Sequence, residues 1–110
     1  MTTAAGRRNV TEEVLVDTAA YAEAFLKELP DRPLVSGTSV EEMRSALGGA
    51  LPEGPTDDSD VIARLIDGAE PGIVATTGPR YFGFVIGGAL PATIAADWLT
   101  SLWDQNTGLF

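Results

Sequence analysis

Apolar positions along this chain recur first at helical spacing and then crowd into a short continuous run. From Asn9 to Pro30, "NVTEEVLVDTAAYAEAFLKELP" sets Val14, Tyr21, Phe25 and Leu29 near one helical face, with Leu15, Ala22 and Leu26 beside them. Glu13, Asp17, Glu23, Lys27 and Glu28 fall mostly elsewhere, so the spacing predicts an amphipathic helix. Asn9 is placed to cap it, Glu12 stands three residues on in the capping-box position, and Pro30 ends it. "PDRPLVSGT" reads as an extended connector, because Pro33 biases Arg32 away from helical angles. "SVEEMRSALGG" predicts a second, short helix with Ser39 as cap, Glu42 as its capping-box partner and Gly48 at the stop. "SDVIARLIDG" predicts a third, with Val61, Ile62, Leu65 and Ile66 on one side.

Beyond residue 70 the pattern changes. "AEPGIVATTGPR" is rich in turn residues, "YFGFVIGG" is a short apolar run with the character of an extended segment, and "LPATIAADWLTSLW" predicts a fourth helix with Pro91 in its first turn. On that helix Ile94, Trp98 and Leu102 form one stripe and Ala95, Leu99 and Trp103 an adjacent one, an apolar arc wide enough to want neighbours on two sides. The expected organisation is a tail over residues 1–8, a three-helix arm over 9–70, and an apolar extended segment with a helix over 71–110. The expected fold class is mostly α, about four helices plus the short extended segment.

Charge sharpens this division. Of 16 acidic residues 14 lie before residue 71, whereas residues 71–110 carry only Arg80, Asp97 and Asp104 and hold six of the eight aromatics. The net charge of -9 disfavours nucleic acid and anionic membrane surfaces as partners. The absence of histidine and cysteine removes the commonest metal ligand, the commonest general base and thiolate chemistry. "MTTAAGRRNVTEE" has no apolar stretch behind its arginines, so no signal peptide is indicated and a cytoplasmic location is expected. The uncharged run from Tyr81 to Ala96 falls short of the roughly 20 residues a bilayer-spanning helix needs. Burying one large apolar side chain is worth roughly 1.5–3 kcal/mol, so a last third this rich in them calls for a partner surface.

The run "GPRYFGFVIGGALPATIAADWLTSLWDQN" closely resembles the N-terminal region of the pyridoxal-phosphate-dependent group II decarboxylases, the family of aromatic-L-amino-acid, glutamate and tyrosine decarboxylases. The resemblance rests on "YFGFV", a small-residue "GG", a proline opening a helix, and "ADWL" leading to a "DQN" turn, with the three upstream helices in the family's order. It covers essentially the whole chain but only about the first quarter of a family member. It implies a parent enzyme of α/β, fold-type I architecture: a homodimeric carboxy-lyase that removes the α-carboxylate of an amino acid with pyridoxal phosphate as cofactor.

By that resemblance the early helices are an arm lying over the partner subunit. Phe84, Ile86, Gly87 and Gly88 would line the substrate side of the active site, and the stretch from Thr107 through Leu109 and Phe110 would reach the pocket across the dimer interface. The family's cofactor lysine and its other cofactor contacts match sequence beyond residue 110, so no catalytic, cofactor or metal residue is expected here and the chain alone is expected to be inactive. Its expected partners are the remainder of the decarboxylase and a second subunit. Where many relatives have a histidine before the Pro-Arg element, this chain has Gly78 and Pro79.

The residues themselves also support plainer readings. Lys27 falls on the wet side of the first helix and is not the cofactor lysine. Gly87 and Gly88 can serve a turn as readily as a ligand, and Trp98 and Trp103 read as core or interface residues. Asp97 and Asp104 are seven residues apart, too far along a helix to share a proton, and suit surface or capping roles. "GFVIGG" lacks dinucleotide-binding spacing. A free-standing helical module that binds another protein through residues 81–110 is the alternative reading.

Overall fold

The structure, a computed structural model, describes residues 10–106 and 108, with side chains from Glu13 onward. The expected tail at 1–8, the Asn9 cap, Thr107, Leu109 and Phe110 lie outside the described residues. Four α-helices account for most of the rest: α1 Val10–Glu28, α2 Val40–Leu47, α3 Asp58–Ala69 and α4 Pro91–Trp103. No strand forms among the described residues.

Each boundary has a local cause. Pro30 has no N–H to continue the ladder of α1, and the chain tightens into a 3₁₀ turn at Leu29–Asp31. The predicted capping box of α2 is present: the Ser39 hydroxyl accepts from the Glu42 N–H at 3.2 Å, while the Ser39 N–H donates to the Glu42 carboxylate at 2.7 Å. That backbone hydrogen bond, with further ones from Thr38 and Ser39 hydroxyls, holds the Glu42 carboxyl below its usual range. Gly48 closes α2, its N–H donating to the Arg44 carbonyl, but its φ is -88°; the left-handed turn falls one residue later, at Gly49 with φ 131°. Helix α3 starts earlier than its apolar stripe indicates because Asp57 caps it, accepting from the Ser59 N–H at 3.0 Å. Pro91 occupies the first turn of α4, and Thr93 reaches back to the Leu90 backbone.

Helix α3 is the hub, packing against both α1 and α2. Val14 and Thr18 of α1 line a narrow seam with Ile62 and Ile66 of α3. Gly68 is buried at the other contact, where a Cβ would stand 2.7 Å from the end of the Leu47 side chain, which would have to move aside. The interior is small: among the described residues the buried apolar side chains are Leu29, 8% exposed, and Ala75, 1% exposed. Several residues of the predicted stripes are left uncovered: Leu15, Val61 and Leu65 are exposed.

Candidate functional site

The segment from Tyr81 to Gly88 is not the extended run its composition suggests. It bends at Gly83–Val85, and Phe84 has φ 54°, a left-handed angle that a bulky residue rarely adopts. A lone apolar run has no ladder to join, and without a paired neighbour its backbone gains nothing by staying straight. Phe82, Phe84 and Val85 are 91%, 90% and 105% exposed. Ile86, Gly87 and Gly88 follow on the surface. A Cβ added at Gly87 would meet nothing within 4 Å, and one at Gly88 would come no closer than 3.7 Å to the Thr77 carbonyl. Neither glycine holds a positive φ, so nothing within this chain demands glycine at position 87. The structure thus brings Phe84, Ile86, Gly87 and Gly88 onto one uncovered segment, while Leu109 and Phe110 lie outside the described residues.

The root of that segment is held by groups that the apolar pattern does not reveal. Arg80 donates from Nε to the Pro30 carbonyl at 2.6 Å and from Nη2 to the Arg32 carbonyl at 2.8 Å. The Arg32 side chain, 11% exposed, in turn pairs with Glu70, reaches Glu28 at 3.4 Å, and lies over the Phe25 ring at 4.3 Å from its centroid. Glu70 also accepts from the Tyr21 hydroxyl, and Tyr21 and Phe25 pack with ring centroids 6.1 Å apart. Tyr21, Arg32 and Glu70 therefore join α1, the connector and the turn after α3. The Tyr21 hydroxyl bond and the Arg32 cation hold the Glu70 carboxyl below its usual range. Burial, followed by the bond to Glu70, pushes the Tyr21 phenol up to about 12.

A Cβ at Gly78 would lie 3.1 Å from both the Ala75 and Leu29 carbonyl oxygens, so a side chain there would need those backbone groups to give by a few tenths of an ångström. On α4, Trp98 and Trp103 are both exposed, with Trp98 beside Ile94, Ala95 and Pro91 on one wall of an open groove of about 450 Å³. The opposite wall is Ala19, Ala22 and Leu26 of α1. Asp97 is exposed, and Asp104 caps the helix in a left-handed conformation with φ 41°, a surface and a capping role respectively.

Lys27, the single lysine of the sequence, is 72% exposed and paired with Glu23 at 2.7 Å, the opposite of the desolvated setting an amine nucleophile needs. No cluster of three or more potential metal ligands exists among the described residues, and none of their helices is long and apolar enough to cross a membrane. Comparison with known proteins finds no matching family model, no matching curated protein and no matching solved structure.

Proposed function

We propose that this chain is the N-terminal part of a pyridoxal-phosphate-dependent amino acid decarboxylase subunit, contributing a helical arm and one wall of the substrate pocket while the cofactor is bound by sequence outside it. The observation that carries the reading is the segment Phe82–Gly88, anchored at its root by Arg80 and uncovered along its length. A wall of this kind is what the run "RYFGFVIGG" supplies in the family it resembles. The two covered apolar side chains and the open α1–α4 groove support the same reading, since both leave surface for the rest of a subunit and for its twin to cover.

Gly87 provides the test. A valine fits freely at Gly87 in the isolated chain, so Gly87→Val should leave the chain's stability unchanged. In the decarboxylase built on this segment the same change should lower kcat/KM for the amino acid by one to two orders of magnitude, roughly 1.4–2.7 kcal/mol, with cofactor absorbance retained. Steady-state kinetics beside an absorbance spectrum measure both. Unchanged kinetics would remove Gly87 from the pocket. A reading frame running from codon 110 into an unrelated gene would overturn the decarboxylase assignment in favour of a helical interaction module.

A further inference from the structure

We propose that Arg80 is a positioning residue, whose fork ties the aromatic segment to the helical arm and fixes where that segment stands. The inference deepens the decarboxylase reading, on which its kinetic arm rests, but its structural arm is independent of it.

The argument begins with the donor count of the connector "PDRP". Pro30 and Pro33 have no N–H, so the connector offers more carbonyl acceptors than amide donors, and it is flanked by a 3₁₀ turn whose last carbonyls have no partner in the turn. Three of its four carbonyls are nevertheless taken. Pro33 accepts from the Ala75 N–H at 3.3 Å, and Pro30 and Arg32, on either side of Asp31, both accept from Arg80. Satisfying two carbonyls two residues apart requires separated donors in a fixed plane, which a guanidinium has and an ammonium lacks. Arg80 is also the one cation in residues 71–110, and it immediately precedes the aromatic run.

The connector is itself fixed from behind. The Arg32 side chain is held by Glu70, Glu28 and the Phe25 face, and Glu70 is shared with Tyr21, so the carbonyl that Arg80 grips belongs to a residue bound to α1 and to the turn after α3. On the other side of Arg80, the Tyr81 N–H donates to the Gly78 carbonyl at 3.3 Å, and from Phe82 onward no hydrogen bond among the described residues reaches back to the arm. Arg80 is thus the last point at which the arm controls the segment. A shift of α1, such as docking against another subunit would impose, passes through Arg32 and Arg80 to Phe82–Gly88.

Amide hydrogen exchange on the 110-residue chain tests the tie. Arg80→Ala should speed exchange of the hydrogen-bonded Tyr81 amide about tenfold or more while the amides of α3 keep their protection. Arg80→Lys, which keeps the charge and folds with less disturbance, should give an intermediate rise of about threefold, because an ammonium lacks the planar fork of the guanidinium. Wild-type exchange at Tyr81 in either variant overturns the proposal whatever an enzyme assay shows. In the decarboxylase, Arg80→Ala should raise KM about tenfold with kcat within about twofold and cofactor absorbance intact, and Arg80→Lys should recover part of the loss. Faster exchange with unchanged KM would confine Arg80 to an anchoring role and overturn its part in substrate positioning, and failure of the parent to decarboxylate any amino acid would overturn the functional reading alone.

Discussion

Residues 10–81 and 82–106 are ordered by different means. The first region has little interior, yet polar groups 38 to 50 residues apart in sequence hold it together: Tyr21 and Arg32 on Glu70, and Arg80 on the connector. The second is the more apolar by composition and has no such tie beyond its own helix turns. Phe82, Phe84, Val85, Leu90, Leu102 and Trp103 all remain exposed, and α4 shares no contact as broad as those that join α3 to α1 and α2. Apolar content alone therefore does not mark the core of this chain. In the first region a few charge-assisted bonds do the placing, and the more apolar region is left exposed.

The comparison breaks most visibly if the second region is not sticky. Phe82→Ser combined with Phe84→Ser removes two fully presented phenyl rings and no hydrogen bond. The wild-type chain should self-associate and bind a hydrophobic dye. The double variant should associate about a hundredfold more weakly, since two rings at a little over 1 kcal/mol each amount to that factor. Sedimentation over a concentration series measures it. A wild-type chain that sediments as a monomer and leaves the dye dark would show that the exposed rings serve no association, and the contrast between the regions would lose its functional meaning.

Much of the fold, and little of the anchor, was legible in the sequence. Helix α2 announced itself through Ser39 and Glu42, and α4 through Pro91, because caps and helix-opening prolines act over three or four residues and leave a local signature. Lys27 was readable as a surface residue from the face it occupies, and its pairing with Glu23 agrees. The run "YFGFVIGG" was misread as extended because composition records apolar character and not the neighbour a strand requires; the bend at Phe84 follows from the missing partner. Residues 21, 32, 70 and 80 carry no mutual signal in one dimension. The one available hint was that Arg80 stands alone as a cation in its third of the chain, beside a connector with two prolines.

A second, smaller effect sharpens the polar side of the comparison. Glu70→Ala takes the acceptor from both Tyr21 and Arg32, leaving the Arg32 cation with Glu28 at 3.4 Å, and should cost about 2 kcal/mol. Partial exposure of Glu70 keeps this below the cost of breaking a buried pair. Tyr21→Phe loses one bond and should cost about 1 kcal/mol. The pH profile separates the two. Glu70 has a lowered pKa in the folded chain, so its contribution is present above the unfolded value of 4.5 and is lost as pH falls through the lower folded value. Tyr21 is raised from 10.0 to about 12, so its contribution is complete below 10.0 and is lost as pH climbs toward 12. Urea melts across pH should show Tyr21→Phe flattening the alkaline edge and, because its hydroxyl bond is the first cause of the lowered Glu70 value, part of the acid edge as well. Glu70→Gln should flatten only part of the acid edge, since Glu23 and Glu42 also have lowered values. An alkaline edge unchanged by Tyr21→Phe would deny the phenol its place in the network.

The smallest effect belongs to the residue that a search for chemistry would single out first. Lys27 is the sole primary amine among the side chains, and in a protein read as part of a pyridoxal phosphate enzyme it invites a covalent role. Its surroundings argue otherwise. The ammonium is mostly in water and lies 2.7 Å from the Glu23 carboxylate one helical turn earlier on α1, not in the desolvated pocket an amine nucleophile needs. An exposed pair at this spacing contributes little and is screened by salt. Lys27→Ala should therefore lower stability only slightly, with most of the difference gone at high ionic strength. Mixing the chain with pyridoxal phosphate should give the same absorbance for wild type and variant. Stoichiometric cofactor attachment that vanishes with Lys27→Ala would instead place chemistry in the arm and dissolve the distinction between a region that positions and a region that presents.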